Sequence, residues 1–226
     1  MAGVGGRVED GVAGVGGRVR GVDRTGAPTA ESEIQDADWY GEDLSGQEHA
    51  RVAFVGVDLT EVTDDGAVFT ECTFRDSRFN LARHSEAAFL NCTVTGCSFF
   101  DATFTDCKFV GSMFDRCTFD LLTVERGDWS FVGLSGADLA RATLTGTRMR
   151  EADLTGLRAS GATLRHLDLS AAYLHEADLS GADLRGSDLS AVDPRSADLT
   201  GAQVDVTQAV VLVTTLGLRV RPDAPE

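Results

Sequence analysis

From Trp39 to Val204 the chain repeats one pattern through 34 consecutive pentads without a change of phase: a large, mostly apolar residue at every fifth position. Ten of these centres are Phe and thirteen are Leu, and two places before the centre 24 of the 34 positions hold Ala, Cys, Ser, Gly or Thr. A period of five matches neither the roughly 3.6-residue turn of a helix nor the alternation of a strand, so every pentad must bring the chain back to one inward orientation. That requires a corner in each repeat. Gly stands two places after the centre at 13 of the 34 positions, as in Leu44-Ser45-Gly46 and Leu179-Ser180-Gly181, which is the turn chemistry such corners ask for. Repeats too short to bury a core alone do so by stacking, and the expected architecture is a quasi-one-dimensional, all-β solenoid.

The pattern divides the 226 residues into a Gly- and Val-rich N-terminal tail (1–36), the repeat domain (37–204) and a C-terminal segment (205–226). The tail contains Gly-Val-Gly-Gly-Arg-Val twice and lacks the continuous apolar stretch of a secretory signal; it reads as disordered, or as the product of a misassigned start codon. Residues 205–216 read as a short helix capped by Asp205 or Thr207 and stopped by Gly217. Its apolar coverage is too wide for a solvent-facing helix. One face is expected to plug the open end of the solenoid, and Val206, Val210, Leu212, Val213, Leu216, Leu218 and Val220 to join two copies end to end.

The formal net charge is −16, and the repeat domain alone holds 27 acids against 14 bases. In the Leu-rich half eight aspartates directly precede a centre and point outward: Asp138, Asp153, Asp168, Asp178, Asp183, Asp188, Asp193 and Asp198. Such carboxylates solvate the wall and bond local backbone. A stiff rod with fixed negative charge also resembles duplex DNA, which carries one charge per roughly 1.7 Å. Coils stacked at roughly 4.8 Å would make a rod about 40 Å long, with only about half that charge density, so mimicry needs the charge concentrated on one or two faces. An even scatter would favour a scaffold.

Nothing in the sequence forms a catalytic constellation, a phosphate-binding glycine loop, or a cofactor or metal site. All five cysteines fall on the small position and read as reduced, buried hydrophobes; Cys92 and Cys97 are five apart, outside zinc-knuckle spacing. His49, His84, Asp64, Ala159 and Pro194 interrupt the centre pattern, and with the phase intact any loop there must replace whole pentads. The chain contains no apolar run long enough for a membrane span.

Ala-Asp-Leu-Ser-Gly at 177–181 and Ala-Asp-Leu-Arg-Gly at 182–186 resemble the A(D/N)LXX unit of pentapeptide repeat proteins. The resemblance implies a right-handed quadrilateral parallel β-helix with four pentads per coil. Val192-Asp193-Pro194, the run from Gly201 to Val210, Leu216-Gly217-Leu218, and the stretch from Gly111 to Thr123 are similar to the MfpA and Qnr quinolone-resistance branch of that family. That similarity implies a cytoplasmic homodimer joined through its C-termini. It would bind DNA gyrase (GyrA or GyrB) in place of DNA, without contacting nucleic acid or membrane itself, and so inhibit the enzyme or protect it from fluoroquinolones. The outward aspartates of the Leu-rich half are the expected contact. Two other readings stay open: an interaction scaffold with no topoisomerase target, and self-resistance against a topoisomerase-directed natural product.

Overall fold

The computed structural model describes residues 29–221, so most of the expected tail and the last five residues lie outside the described part. Every strand pair and every isolated bridge joins residues 20 apart in parallel, which makes four pentads per coil and a four-sided solenoid. Side I stacks Ser32–Gln35, Val52–Val55, Thr73–Arg75, Thr93–Thr95 and Met113–Asp115, then continues through Gly133 and Asp153 to Tyr173, a climb of seven coil steps. Side II is built only of bridges, starting with Asp38 to Asp58. Side III runs from Thr63–Asp65 to Thr163–Arg165, and side IV begins with Glu48–Ala50, Val68–Thr70 and Ala88–Leu90. Ile34, five residues before Trp39, already pairs with Phe54, so the first strand lies within the last part of the expected tail.

The period of five works because the residue two places after the centre turns the corner in the left-handed region. From Asp36 to Gly186 this position recurs 31 times, and every one except Arg141 has a positive φ. Glycine meets that demand without the Cβ penalty, while the non-glycine corners accept strain held by the ladders above and below.

Inside, the centres stack on their own kind. Phe54 lies on Phe74 with ring centroids 4.7 Å apart, and Phe69 on Phe89 at the same distance; edge contacts such as Phe69 to Phe74 at 5.5 Å link the columns. The small positions let the wall close over these rings. Gly127 shows the constraint at its tightest, since a Cβ there would lie on the carbonyl oxygen of Cys107. All five cysteines are free thiols on the small positions, four of them buried. Burial pushes the Cys107 thiol up to about 12.

Two of the anticipated interruptions are absorbed without loops. Asp64 and His84 both point inward, in Thr63–Asp65 and Arg83–Ser85, directly opposite each other in the ladder, and the buried carboxylate bonds the imidazole Nδ1. Pro194 does break the wall: the side I ladder ends at Tyr173.

The C-terminal helix spans Val206–Thr215 with Asp205 as N-cap. Asp205 and Gln208 form a reciprocal capping box, and Gly217 follows at φ +90°. Gln208, buried, donates its side-chain amide to Leu184 O at 2.6 Å and Ser187 O at 2.8 Å, so it closes the last coil by satisfying carbonyls that have no further rung. Arg195 caps the other helix end through Leu216 O at 3.0 Å.

Candidate functional site

The aspartates expected to make the contact are spread around the rod. Asp138, Asp178 and Asp198 lie on side II, Asp168 and Asp188 on side IV, Asp153 and Asp193 on side I, and Asp183 on side III. Each turns one oxygen back to the wall: Asp153 accepts from Thr155 N at 3.1 Å, Asp178 from Ser180 N at 3.0 Å and Oγ at 2.6 Å, and Asp198 from Thr200 N at 2.9 Å. Arginines answer several of the others, Arg158 to Asp138 at 3.4 Å and Arg185 to Asp183 at 2.7 Å. Counted over the pentads of residues 32–206, sides I to IV carry net charges of −4, −5, −5 and −2. The required concentration on one or two faces is absent.

The charge is instead concentrated along the axis. Residues 29–65, about two coils, hold eleven acids and a single base, Arg51, for a net −10; residues 126–165 hold four acids and six arginines. Of those eleven, only Asp64 is buried, and Glu33, Asp36, Asp38, Glu42, Glu48, Glu61 and Asp65 are exposed and make no salt bridge. Tyr40 reports the local field: its hydrogen bond with Glu61 and the neighbouring carboxylates raise the phenol above its ordinary range. A running charge count along the sequence carries this signal, whereas attention to the regular Ala-Asp-Leu pentads hides it.

Arg78 hydrogen-bonds Asp58 across one coil step at 2.7 Å and holds its carboxyl at about 2. Because the folded value lies below the unfolded one, this contribution to stability is complete above the ordinary carboxylate range and is lost as pH falls through about 2. Arg78→Gln is therefore expected to lower the denaturant midpoint at pH 6 and to lower it much less at pH 2; an equal difference at both values would rule out this origin.

At the other end, Val206, Val210, Leu216, Leu218 and Val220 are exposed, whereas Leu212 packs against the core and Val213 is half-buried. Among the described residues no cluster of His, Cys, Asp and Glu could hold a metal ion, and no helix is long and apolar enough to cross a membrane.

A four-sided solenoid of phased pentads, with an acidic base and an apolar helical tip, defines a non-helical repeat protein of the β-solenoid class. The model of the family described as pentapeptide repeats matches it in eight copies, within residues 134–170, 157–190 and 168–204. Residues 134–204 thus carry pentapeptide repeats, and the Phe-centred coils before residue 134 continue the same β-helix ladders. Comparison with curated proteins returns no match.

Among solved structures the chain is similar to QnrB1, a plasmid-mediated fluoroquinolone resistance protein, at 22% identity, covering 84% of this chain and 99% of that one with a TM-score of 0.47. It is also similar to HetL, a pentapeptide repeat protein involved in heterocyst differentiation regulation from the cyanobacterium Nostoc, at 22% identity, 77% and 85% coverage and a TM-score of 0.43. A thylakoid-lumen pentapeptide repeat protein of Arabidopsis thaliana matches at 22% identity, 76% and 89% coverage and a TM-score of 0.26. These likenesses concern the fold alone.

Proposed function

We propose that this chain is a DNA-mimicking binding protein whose target is a type II topoisomerase, DNA gyrase, and that it acts as a homodimer joined through its C-terminal helices. The observation that carries the reading is the acidic base. Even without buried Asp64, a net charge near −9 over two coils of roughly 4.8 Å each gives about one charge per Å, denser than the one per roughly 1.7 Å of duplex DNA. The charges are fixed on a rigid frame, so a groove built to hold phosphates meets them without an ordering cost. The sequence similarity of the C-terminal region to the MfpA and Qnr branch points to gyrase among DNA-binding enzymes.

Joined at the tips, two copies would present their acidic bases at opposite ends of one long rod. Replacing Leu216 and Leu218, exposed and clear of the core, with Glu is expected to yield monomers in light scattering with an unchanged circular dichroism spectrum. A persistent dimer mass would place the interface elsewhere. Leu212→Glu is not an equivalent test, because it also unseats the core plug.

The function is tested by DNA supercoiling with purified gyrase, titrated with this protein with and without a fluoroquinolone. Loss of supercoiling or fewer drug-stabilised breaks is expected. No effect at a large molar excess would support the second reading, an interaction scaffold, which the four-sided scatter and arginine pairing of the Leu-half aspartates favour.

A further inference from the structure

Side II is interrupted in mid-wall. Below the break Asp38, Asp58, Arg78, Ser98 and Thr118 are bridged in succession, and above it Asp138, Arg158, Asp178 and Asp198, but nothing bridges Thr118 to Asp138. In the closed coils Phe99 N donates to Thr118 O at 2.9 Å and Leu139 N to Arg158 O at 2.6 Å. At the break the N–H groups of Arg116, Phe119 and Leu121 reach no carbonyl of the coil above, and Asp138 N reaches none below. The other sides at this level stay shut: Phe114 N bonds Gly133 O at 2.9 Å, Thr123–Glu125 pairs with Thr143–Thr145, and Trp129 N bonds Arg148 O at 2.7 Å.

Independent features coincide with the gap. Arg141, at the corner above it, is the one corner between Asp36 and Gly186 that abandons the left-handed conformation. Cys117 and Ala137, the small positions of the two lips, are half-exposed, whereas Val57, Ser77, Cys97, Leu157 and Ala177 in the same column are buried. The rings of Phe99 and Phe119 have drawn apart to 5.5 Å, against 4.8 Å for Phe79 and Phe99. The result is a cleft of about 450 Å³ floored by Phe119 and edged by Cys117 and Ala140.

We propose that this seam is a docking slot for an extended, uncharged polypeptide segment of a partner protein, bound as an inserted rung. The lower lip offers a row of N–H donors, and the upper lip carries the unused carbonyls of Ser135, Asp138 and Ala140. Only another main chain presents acceptors along one edge and donors along the other at matching intervals. The lips ask for no charge, because Arg141 already pairs with Asp120 at 3.3 Å and Arg158 with Asp138 at 3.4 Å. The apolar floor selects a segment with an aliphatic residue turned inward, the same small-x-Leu pattern that fills the solenoid itself. The volume is that of an ordinary ligand site. This slot is independent of the acidic base and of any topoisomerase.

The test uses the full chain and a capped peptide, Ser-Ala-Asn-Leu-Thr-Gly-Ala, with a backbone N-methylated copy as control. In the free protein the Phe119 and Leu121 amides are expected to exchange about a hundredfold faster than those of Phe99 and Leu139. Cys117 is the thiol that a maleimide labels, and saturating peptide should slow that labelling about tenfold while the N-methylated copy leaves it unchanged. Ala140→Trp, which fills the slot, should abolish the peptide effect; Thr118→Trp from the opposite lip repeats the test should the first variant misfold. Protection of Phe119 equal to that of Phe99 would show a closed wall and overturn the proposal. So would equal action of both peptides, absence of protection by either, or protection by a fluoroquinolone or inorganic phosphate instead.

Discussion

Asp64→Ala is expected to cost about 3–5 kcal/mol of unfolding free energy, the largest effect of any single polar substitution in the wall. Asp64 and His84 are, among the described residues, the two fully buried polar side chains at centre positions, with side-chain exposures of 0% and 1%. His84 stacks on Phe104 at 4.8 Å and meets Phe89 edge-on at 5.6 Å, so the imidazole is sandwiched in the aromatic column and has no route to water. Removing the carboxylate leaves Nδ1 without its acceptor. Nε2 already has no hydrogen-bond partner, and neither does the second oxygen of Asp64. The pair is thus incompletely satisfied even in the native protein, and a well-packed apolar replacement should do better than either single variant. Asp64→Leu combined with His84→Phe, which restores the centre pattern of the neighbouring coils, is expected to be at least as stable as the native chain in denaturant titration. A single-variant loss below about 1 kcal/mol would mean that the surrounding rings collapse onto the site or that water enters it.

This pair also shows what a sequence can and cannot disclose. The phase running through Asp64 and His84 required both to sit at centre positions, and their 20-residue separation becomes contact only once the number of sides is known. The period of five limits the corner spacing but not the sides; parallel pairing of Val52–Val55 with Thr73–Arg75 and its equivalents sets four. The helix cap at Asp205 and the stop at Gly217 were legible because they are local chemistry. The plug residue was not: Gln208 looks like a surface residue of a short helix, and only the open last coil, where Ser187 O has no rung above it and Leu184 O can accept a second bond, makes it a core residue. The seam above Phe119 is still less legible, since Cys117-Thr118-Phe119-Asp120-Leu121 and Ala137-Asp138-Leu139-Ala140-Arg141 are both regular pentads. Its origin lies between coils, where the Phe-filled half gives way to the Leu-filled half and the stacking distance of the last rings no longer matches the wall.

Neutralising the acidic base is expected to abolish target binding while leaving the fold untouched. The seven exposed carboxylates Glu33, Asp36, Asp38, Glu42, Glu48, Glu61 and Asp65 project from the first two coils without a salt bridge, and of these only Asp38, which accepts from Tyr40 N at 3.1 Å, is bonded to the backbone as the Leu-half aspartates are. Changing them to Gln or Asn takes the net charge of residues 29–65 from −10 to −3. Binding that rests on several displaced phosphate contacts falls steeply with the number of charges, so the affinity for gyrase should drop by about a hundredfold or more, and the remaining affinity should depend far less on salt. The corresponding change at Asp138, Asp153, Asp168, Asp178, Asp188 and Asp198 should weaken binding less, because those charges are spread over three sides and part of each is spent on the turn that follows it. It should cost more stability for the same reason, since every one of them accepts a backbone N–H two residues on. Titrating both variants in the supercoiling assay at two salt concentrations separates the cases. A larger loss from the Leu-half set would return the contact to those aspartates, and equal indifference to both sets would show that the rod is not read through its charge.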